Sequence, residues 1–96
     1  MKKSESPIDR ILLYIEEHYH QDISLKKLSE LFFINQFYLG QLIRKKKGVG
    51  FNEYLNMIRI GHAIQLLSHG GTSIKEVSEK VGYKYVDHFY KKFKEI

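Results

Sequence analysis

Apolar residues recur along this chain at helical spacing in six separate stretches, each bounded by a capping residue or a glycine. Ser6-Pro7 opens the first, with Ser6 as cap and Pro7 suited to the first helical position. Ile8, Ile11, Leu12, Ile15 and Tyr19 give it one apolar face, with Glu16, Glu17 and His20 off that stripe. Ser24 caps a second, short helix carrying Leu25, Leu28 and Phe32. Asn35 caps a third, predicted from about Gln36 to Lys46 and ending before Gly48. Its inward stripe is Leu39, Leu42 and Ile43; its outward stripe is Gln36, Phe37, Gly40, Gln41 and Arg44. After Gly48-Val49-Gly50, a long helix is predicted over 51–68. Its apolar positions include Phe51, Tyr54, Leu55, Ile58, Ala63, Ile64, Leu66 and Leu67, wider than one stripe, as expected of a helix serving two lobes. Gly70-Gly71 ends it. Ser73-Ile74-Lys75-Glu76 has the form of a capping box, opening a helix with Ile74, Val77 and Val81 inward. Gly82 tolerates a left-handed turn. The last helix begins near Tyr85 or Val86, with Phe89, Phe93 and Ile96 inward and Asp87, Tyr90, Lys91 and Lys94 outward. Residues 1–5 are expected to form a loose tail.

The pattern repeats. Ser24-Leu25-Lys26-Lys27-Leu28-Ser29-Glu30 aligns with Ser73-Ile74-Lys75-Glu76-Val77-Ser78-Glu79. With one extra residue in the second turn, Leu39-Gly40-Gln41-Leu42-Ile43-Arg44 aligns with Phe89-Tyr90-Lys91-Lys92-Phe93-Lys94. Each copy is a capped helix, a tight turn and a second helix with a polar outer face, the plan of a helix-turn-helix. The expected fold is therefore all-α: two helix-turn-helix subdomains (homeodomain-like units, 6–50 and 69–96) joined by a long connecting helix (51–68). The alternative is two helical hairpins without a nucleic-acid role.

Charge tips the balance. The chain of 96 residues carries 16 Lys+Arg against 11 Asp+Glu, a formal net charge of +5, which favours a polyanionic partner. Hydrophobic residues make up 43%, too many for a disordered segment. There is no cysteine, so no disulfide framework or thiolate metal site is expected. No apolar run approaches the roughly 20 residues of a membrane span, and the polar start Met1-Lys2-Lys3-Ser4 is unlike a signal peptide, so a cytoplasmic location is expected.

These residues resemble the DNA-binding domain of the AraC/XylS family of transcriptional regulators, from about Ile8 to Lys94. Tyr14-Ile15-Glu16-Glu17-His18-Tyr19 is similar to that family's opening helix. Ser24-Leu25-Lys26-Lys27-Leu28-Ser29 with Tyr38-Leu39 and Arg44-Lys45 resembles its first reading unit. Phe51-Asn52-Glu53-Tyr54-Leu55 with Arg59-Ile60, Ala63 and Leu66-Leu67 resembles its connecting helix. Ile74-Lys75-Glu76-Val77-Ser78, Val81-Gly82-Tyr83, His88-Phe89 and Phe93-Lys94 carry the most specific likeness, to members that are the output domains of two-component response regulators. Ser29 and Ser78 stand where the family usually has alanine, and Ile43 where it has phenylalanine. The chain stops before the family's closing segment, as a truncated or short variant would, and the end of the last helix is expected to fray.

The resemblance implies base-edge contacts from Gln36, Phe37, Gly40 and Gln41 in the first unit, and from Val86, Asp87, His88, Tyr90 and Lys91 in the second. Gln41 can bond adenine in a bidentate way, and Phe37 can meet a thymine methyl or fold back on the core. Gly40 leaves room for close backbone approach. Asp87 can accept from cytosine or cap its helix. Phosphate contacts are expected from Asn35, Arg44, Lys45, Lys46, Lys47, Lys84, Lys92 and Lys94, with a merely solvated surface as the alternative for any single lysine. Arg59 is expected to pair with an acidic side chain. A connecting helix of about 18 residues is about 27 Å long, and reading helices about 34 Å apart enter successive major grooves.

The expected partners are double-stranded DNA, RNA polymerase subunits and a regulatory domain in the full-length protein. No membrane partner, metal or cofactor is expected, and the isolated domain should be a monomer. An enzyme is disfavoured, because the acidic residues are scattered and His18, His20, His62, His69 and His88 make no metal motif. The rival reading is a protein-interaction module of the same fold that does not bind DNA.

Overall fold

The computed structural model describes residues 6–95, so the expected tail (1–5) and the inward placement of Ile96 lie outside the described residues. The described residues form six α-helices and no strand: α1 (Pro7–Glu17), α2 (Leu25–Phe32), α3 (Gln36–Lys47), α4 (Phe51–His69), α5 (Ile74–Lys80) and α6 (Val86–Glu95). They make two compact units. One holds the chain up to His18 with Ile23–Tyr54; the other holds Tyr19–Asp22 with the residues from Leu55 onward.

In the first unit, Ser6 caps α1 and Pro7 takes its first position, as read from the sequence. Ile8, Ile11, Leu12 and Ile15 are buried, with Leu28 of α2, Leu39 and Ile43 of α3, and Phe51 and Tyr54 of α4. Each deeply buried aliphatic side chain contributes about 1.5–3 kcal/mol relative to exposure. Ser24 accepts from the Lys27 N–H (3.1 Å), and Asn35 Oδ1 accepts from the Tyr38 N–H (2.9 Å), so both helices of the hairpin start on a side-chain cap. Gly48, at φ 81°, stops α3. The Tyr54 hydroxyl donates to the Glu16 carboxylate (3.0 Å), and burial together with that carboxylate pushes the phenol pKa well above its ordinary value.

One position on α1 is corrected. The helix ends at Glu17, where the His18 N–H bonds back to the Tyr14 and Ile15 carbonyls, so Tyr19 is not on its apolar face. Tyr19 packs on the core of the other unit and stacks on the His62 ring, centroids 4.1 Å apart. The helical period continued past a stop that no Gly or Pro marks.

The core of the second unit is Ile60, Ala63, Val77, Val81, Tyr83 and Phe89, with Tyr19, Leu66 and Leu67 against it. Ser73 and Glu76 form the predicted capping box on α5. Arg59, only 9% exposed, donates from Nε to the Tyr19 carbonyl (2.8 Å) and from Nη2 to the Gln21 carbonyl (2.9 Å). Its guanidinium also faces the Tyr83 ring at 5.3 Å. Beside these carbonyl bonds the charge of Asp22, an acidic side chain as expected, also acts on the guanidinium; burial, the larger influence, lowers its pKa from the ordinary value.

Two inward assignments are corrected here, Ile74 and Phe93, each 39% exposed, and the apolar Ile64 of α4 is 49% exposed. Ile64 follows buried Ala63 by one residue, a step of about 100° around the helix. Ile74 begins a helix of seven residues whose buried side is Val77 and Ser78. Phe93 leans on Phe89, centroids 5.6 Å apart, with its outer face uncovered. Ser78 is tolerated at 1% exposure because its hydroxyl donates to the Lys75 carbonyl (2.8 Å). Ser29 makes the matching bond to Lys26 (2.7 Å).

Candidate nucleic-acid interface

The two turns are built alike. The Ile34 N–H bonds the Ser29 carbonyl (3.0 Å), and the Tyr83 N–H bonds the Ser78 carbonyl (2.9 Å). Each pair closes the first helix and redirects the chain into the second, whose inward residues anchor it and whose opposite face stays open.

On α3 the open face holds Gln36, Phe37, Gln41 and Arg44, all exposed. Phe37 is 74% exposed, so it does not fold back onto the core. Gly40 is half-buried, and a Cβ there would sit 3.2 Å from Leu25 Cδ2. Its missing side chain makes room for Leu25 of α2.

The basic run that ends α3 divides. The Arg44 guanidinium lies over Gly50, 2.9 Å from where a Cβ would be. Lys46 pairs with Asp9 of α1 (3.6 Å). The Ser6 hydroxyl and then Lys46 hold the Asp9 carboxyl below its usual pKa. Lys47 stands over the Tyr54 ring at 5.2 Å. Lys45 is exposed. Asn35 uses its side-chain oxygen in the α3 cap; a phosphate would take the Nδ2–H donors instead.

On α6, Asp87, His88, Tyr90 and Lys91 are exposed and Val86 is half-buried. Asp87 does not cap: α6 begins at Val86, so Asp87 is the second helical residue and the cap position falls on Tyr85. The His88 ring meets Tyr83 edge-on, centroids 5.1 Å apart, which braces it. Lys92 pairs with Glu95 (3.4 Å) and is partly covered. Lys84 and Lys94 are exposed.

Two residues that sequence reasoning passed over stand at these turns. Phe33 is 94% exposed at φ 56°, and Tyr85 is 72% exposed. The repeat itself could have found them: it aligns Phe33 with Gly82 and Asn35 with Tyr85.

What the geometry offers is a pair of second helices, each held by a buried core and presenting polar and basic side chains outward, the form that fits a major groove. Among the described residues, no group of three His, Asp or Glu could hold a metal ion, and no helix is long and apolar enough to cross a membrane.

Comparison with known proteins agrees. Residues 28–96 match the model of a helix-turn-helix domain family. An HTH-type transcriptional regulator of Escherichia coli, YijO, is 33% identical over 92 residues, covering 96% of this chain and 32% of that protein. The C-terminal domain of AraT, a response regulator from Geobacillus stearothermophilus, superposes with a TM-score of 0.90 at 29% identity, over 98% of this chain and 78% of that one. The C-terminal domain of the two-component response regulator yesN from Fusobacterium nucleatum gives a TM-score of 0.84 at 33% identity, over 91% of each chain. The chain spans about a third of the length of the curated relatives it matches first, 30% and 32%. This chain belongs to the AraC-type helix-turn-helix family, the DNA-binding domains of transcriptional regulators, which are not typically enzymes.

Proposed function

We propose that this chain is the DNA-reading part of a bacterial transcriptional regulator, with α3 and α6 entering successive major grooves of one specific duplex. The observation that carries this is the repeated unit itself. Twice, a capped helix and a hydrogen-bonded turn present a second helix whose outer face is exposed and basic: Arg44 and Lys45 on α3, Lys91 and Lys94 on α6. Gln36, Phe37 and Gln41 would read base edges in the first unit, and Asp87, Tyr90 and Lys91 in the second. Lys84 and Lys94 would position the second helix on phosphates. Likeness to response-regulator output domains supports a receiver or other regulatory domain elsewhere in the full-length protein. RNA polymerase subunits are the further partners proposed, with a cytoplasmic location and a monomeric isolated domain. The domain has no catalytic role in this reading.

Fluorescence anisotropy on duplexes selected from a random library, run across a salt series, tests it. Log affinity should fall linearly with log salt, by about 0.9 per phosphate contacted. Selection should enrich two half-sites about one helical turn apart. Absence of binding at low salt sinks the DNA reading and leaves a protein-interaction module.

A further inference from the structure

We propose that Tyr85 is a DNA-positioning residue, its hydroxyl donating to a backbone phosphate where the chain enters α6. This rests on the DNA-binding reading above and adds to it a contact that neither the family match nor the sequence assigned. Three observations converge on it.

Tyr85 stands at the cap position of α6, where the Tyr85 carbonyl accepts the His88 (3.2 Å) and Phe89 (3.4 Å) N–H groups. The equivalent position of the first unit is Asn35, whose side chain caps α3. A tyrosine cannot bend its hydroxyl back to the first turn, so the second unit forgoes a stabilising bond that the first unit has. A residue that costs local stability and is kept exposed points to a role outside the fold.

The hydroxyl is also free and outward, unlike those of the two buried tyrosines. Tyr54 donates to Glu16 and Tyr83 to Asn56, whereas no described residue engages the Tyr85 hydroxyl, and the side chain is 72% exposed. A phenol body with a free donor suits the edge of a groove, where tyrosine hydroxyls bond phosphate oxygens.

The surroundings have the matching charge. Lys84 precedes it and is exposed, and Lys91 and Lys94 lie exposed on the helix that follows. A phosphate drawn to these cations meets a neutral donor in Tyr85, which orients the helix without adding charge.

The test uses the whole chain and its selected duplex, with Tyr85→Phe and Tyr85→Asn. Tyr85→Phe should bind on the order of tenfold more weakly, as loss of one hydrogen bond to a charged acceptor does. Its melting temperature should not change, and its salt slope should run parallel to the unmodified protein's, because no cation has been removed. Lys84→Ala, by contrast, should flatten the slope. Tyr85→Asn should restore the cap and raise the melting temperature by a few degrees while weakening binding, opposite signs that a purely structural tyrosine cannot give. Full affinity in Tyr85→Phe overturns the proposal and leaves the DNA reading standing. Failure of the unmodified chain to bind any duplex overturns both.

Discussion

The two helix-turn-helix units share one plan and stabilise different parts of it. The first unit caps its reading helix at both ends, with Asn35 at the start and Gly48 at φ 81° at the finish, while its turn carries Phe33 in a left-handed conformation. The second unit reverses this. Its leading helix α5 has a full capping box, its turn carries Gly82, and its reading helix starts on Tyr85 without a side-chain cap. The fold therefore does not need any one of these local devices. It needs the buried anchor of each second helix, Leu39 and Ile43 in one and Phe89 in the other, and the backbone bond that closes each turn. Where the local rules are broken, an exposed aromatic occupies the position.

Gly82 breaks the comparison most sharply. It has φ 112°, and a Cβ there would stand 2.9 Å from Arg59 Nε and 3.0 Å from Cζ. Gly82→Ala must both strain the backbone and push Arg59 off the Tyr19 and Gln21 carbonyls. We expect a loss of about 3 kcal/mol. Amide exchange should show α5 and α6 losing protection first, with α2 and α3 little changed. Uniform loss across all six helices would mean that the two units are one cooperative body.

Asn35 tests the reverse. Asn35→Ala makes the start of α3 resemble that of α6, and should cost about 1 kcal/mol in urea unfolding. Unchanged stability would show that the reading helix is held by Leu39 and Ile43 alone.

A pH series separates the units in another way. Raising a phenol pKa on folding favours the neutral form, so the stabilisation is present below the unfolded value and is lost as pH rises above about 10. Tyr54 and Tyr83 both have raised values, Tyr54 from burial and the Glu16 carboxylate, Tyr83 from burial against the opposing pull of Arg59. Tyr54→Phe should therefore flatten the alkaline fall in stability, and more than Tyr83→Phe. Equal flattening would mean that the Glu16 carboxylate adds nothing.

Much of this was legible in the sequence for physical reasons. Capping by Ser6, Ser24, Asn35 and Ser73 is local chemistry, and the stripes Ile11/Ile15, Leu39/Ile43 and Val77/Val81 follow from helical geometry. The repeat is visible because two similar hairpins solve the same burial problem. What was illegible depends on residues far apart in the chain. Arg59 holds carbonyls about forty residues away, Tyr19 leaves the helix whose period it continues, and Gly40 gives room to Leu25. Lys46 and Lys47 look free in the sequence, yet they rest on Asp9 and Tyr54.

The smallest expected effect is the most informative about Phe33. A non-glycine residue in the left-handed region costs about 1–2 kcal/mol, and the 94%-exposed ring recovers almost none of that by burial. Phe33→Gly relieves the strain but frees the unfolded chain, which gives back about 0.4–1 kcal/mol. The difference leaves a net gain of about 0.5 kcal/mol, read as a small rise in the urea midpoint. Such a gain would show that Phe33 costs its turn stability, the behaviour proposed for Tyr85 in the other unit. A loss would instead assign the ring a packing role in the turn and make Tyr85 the lone case.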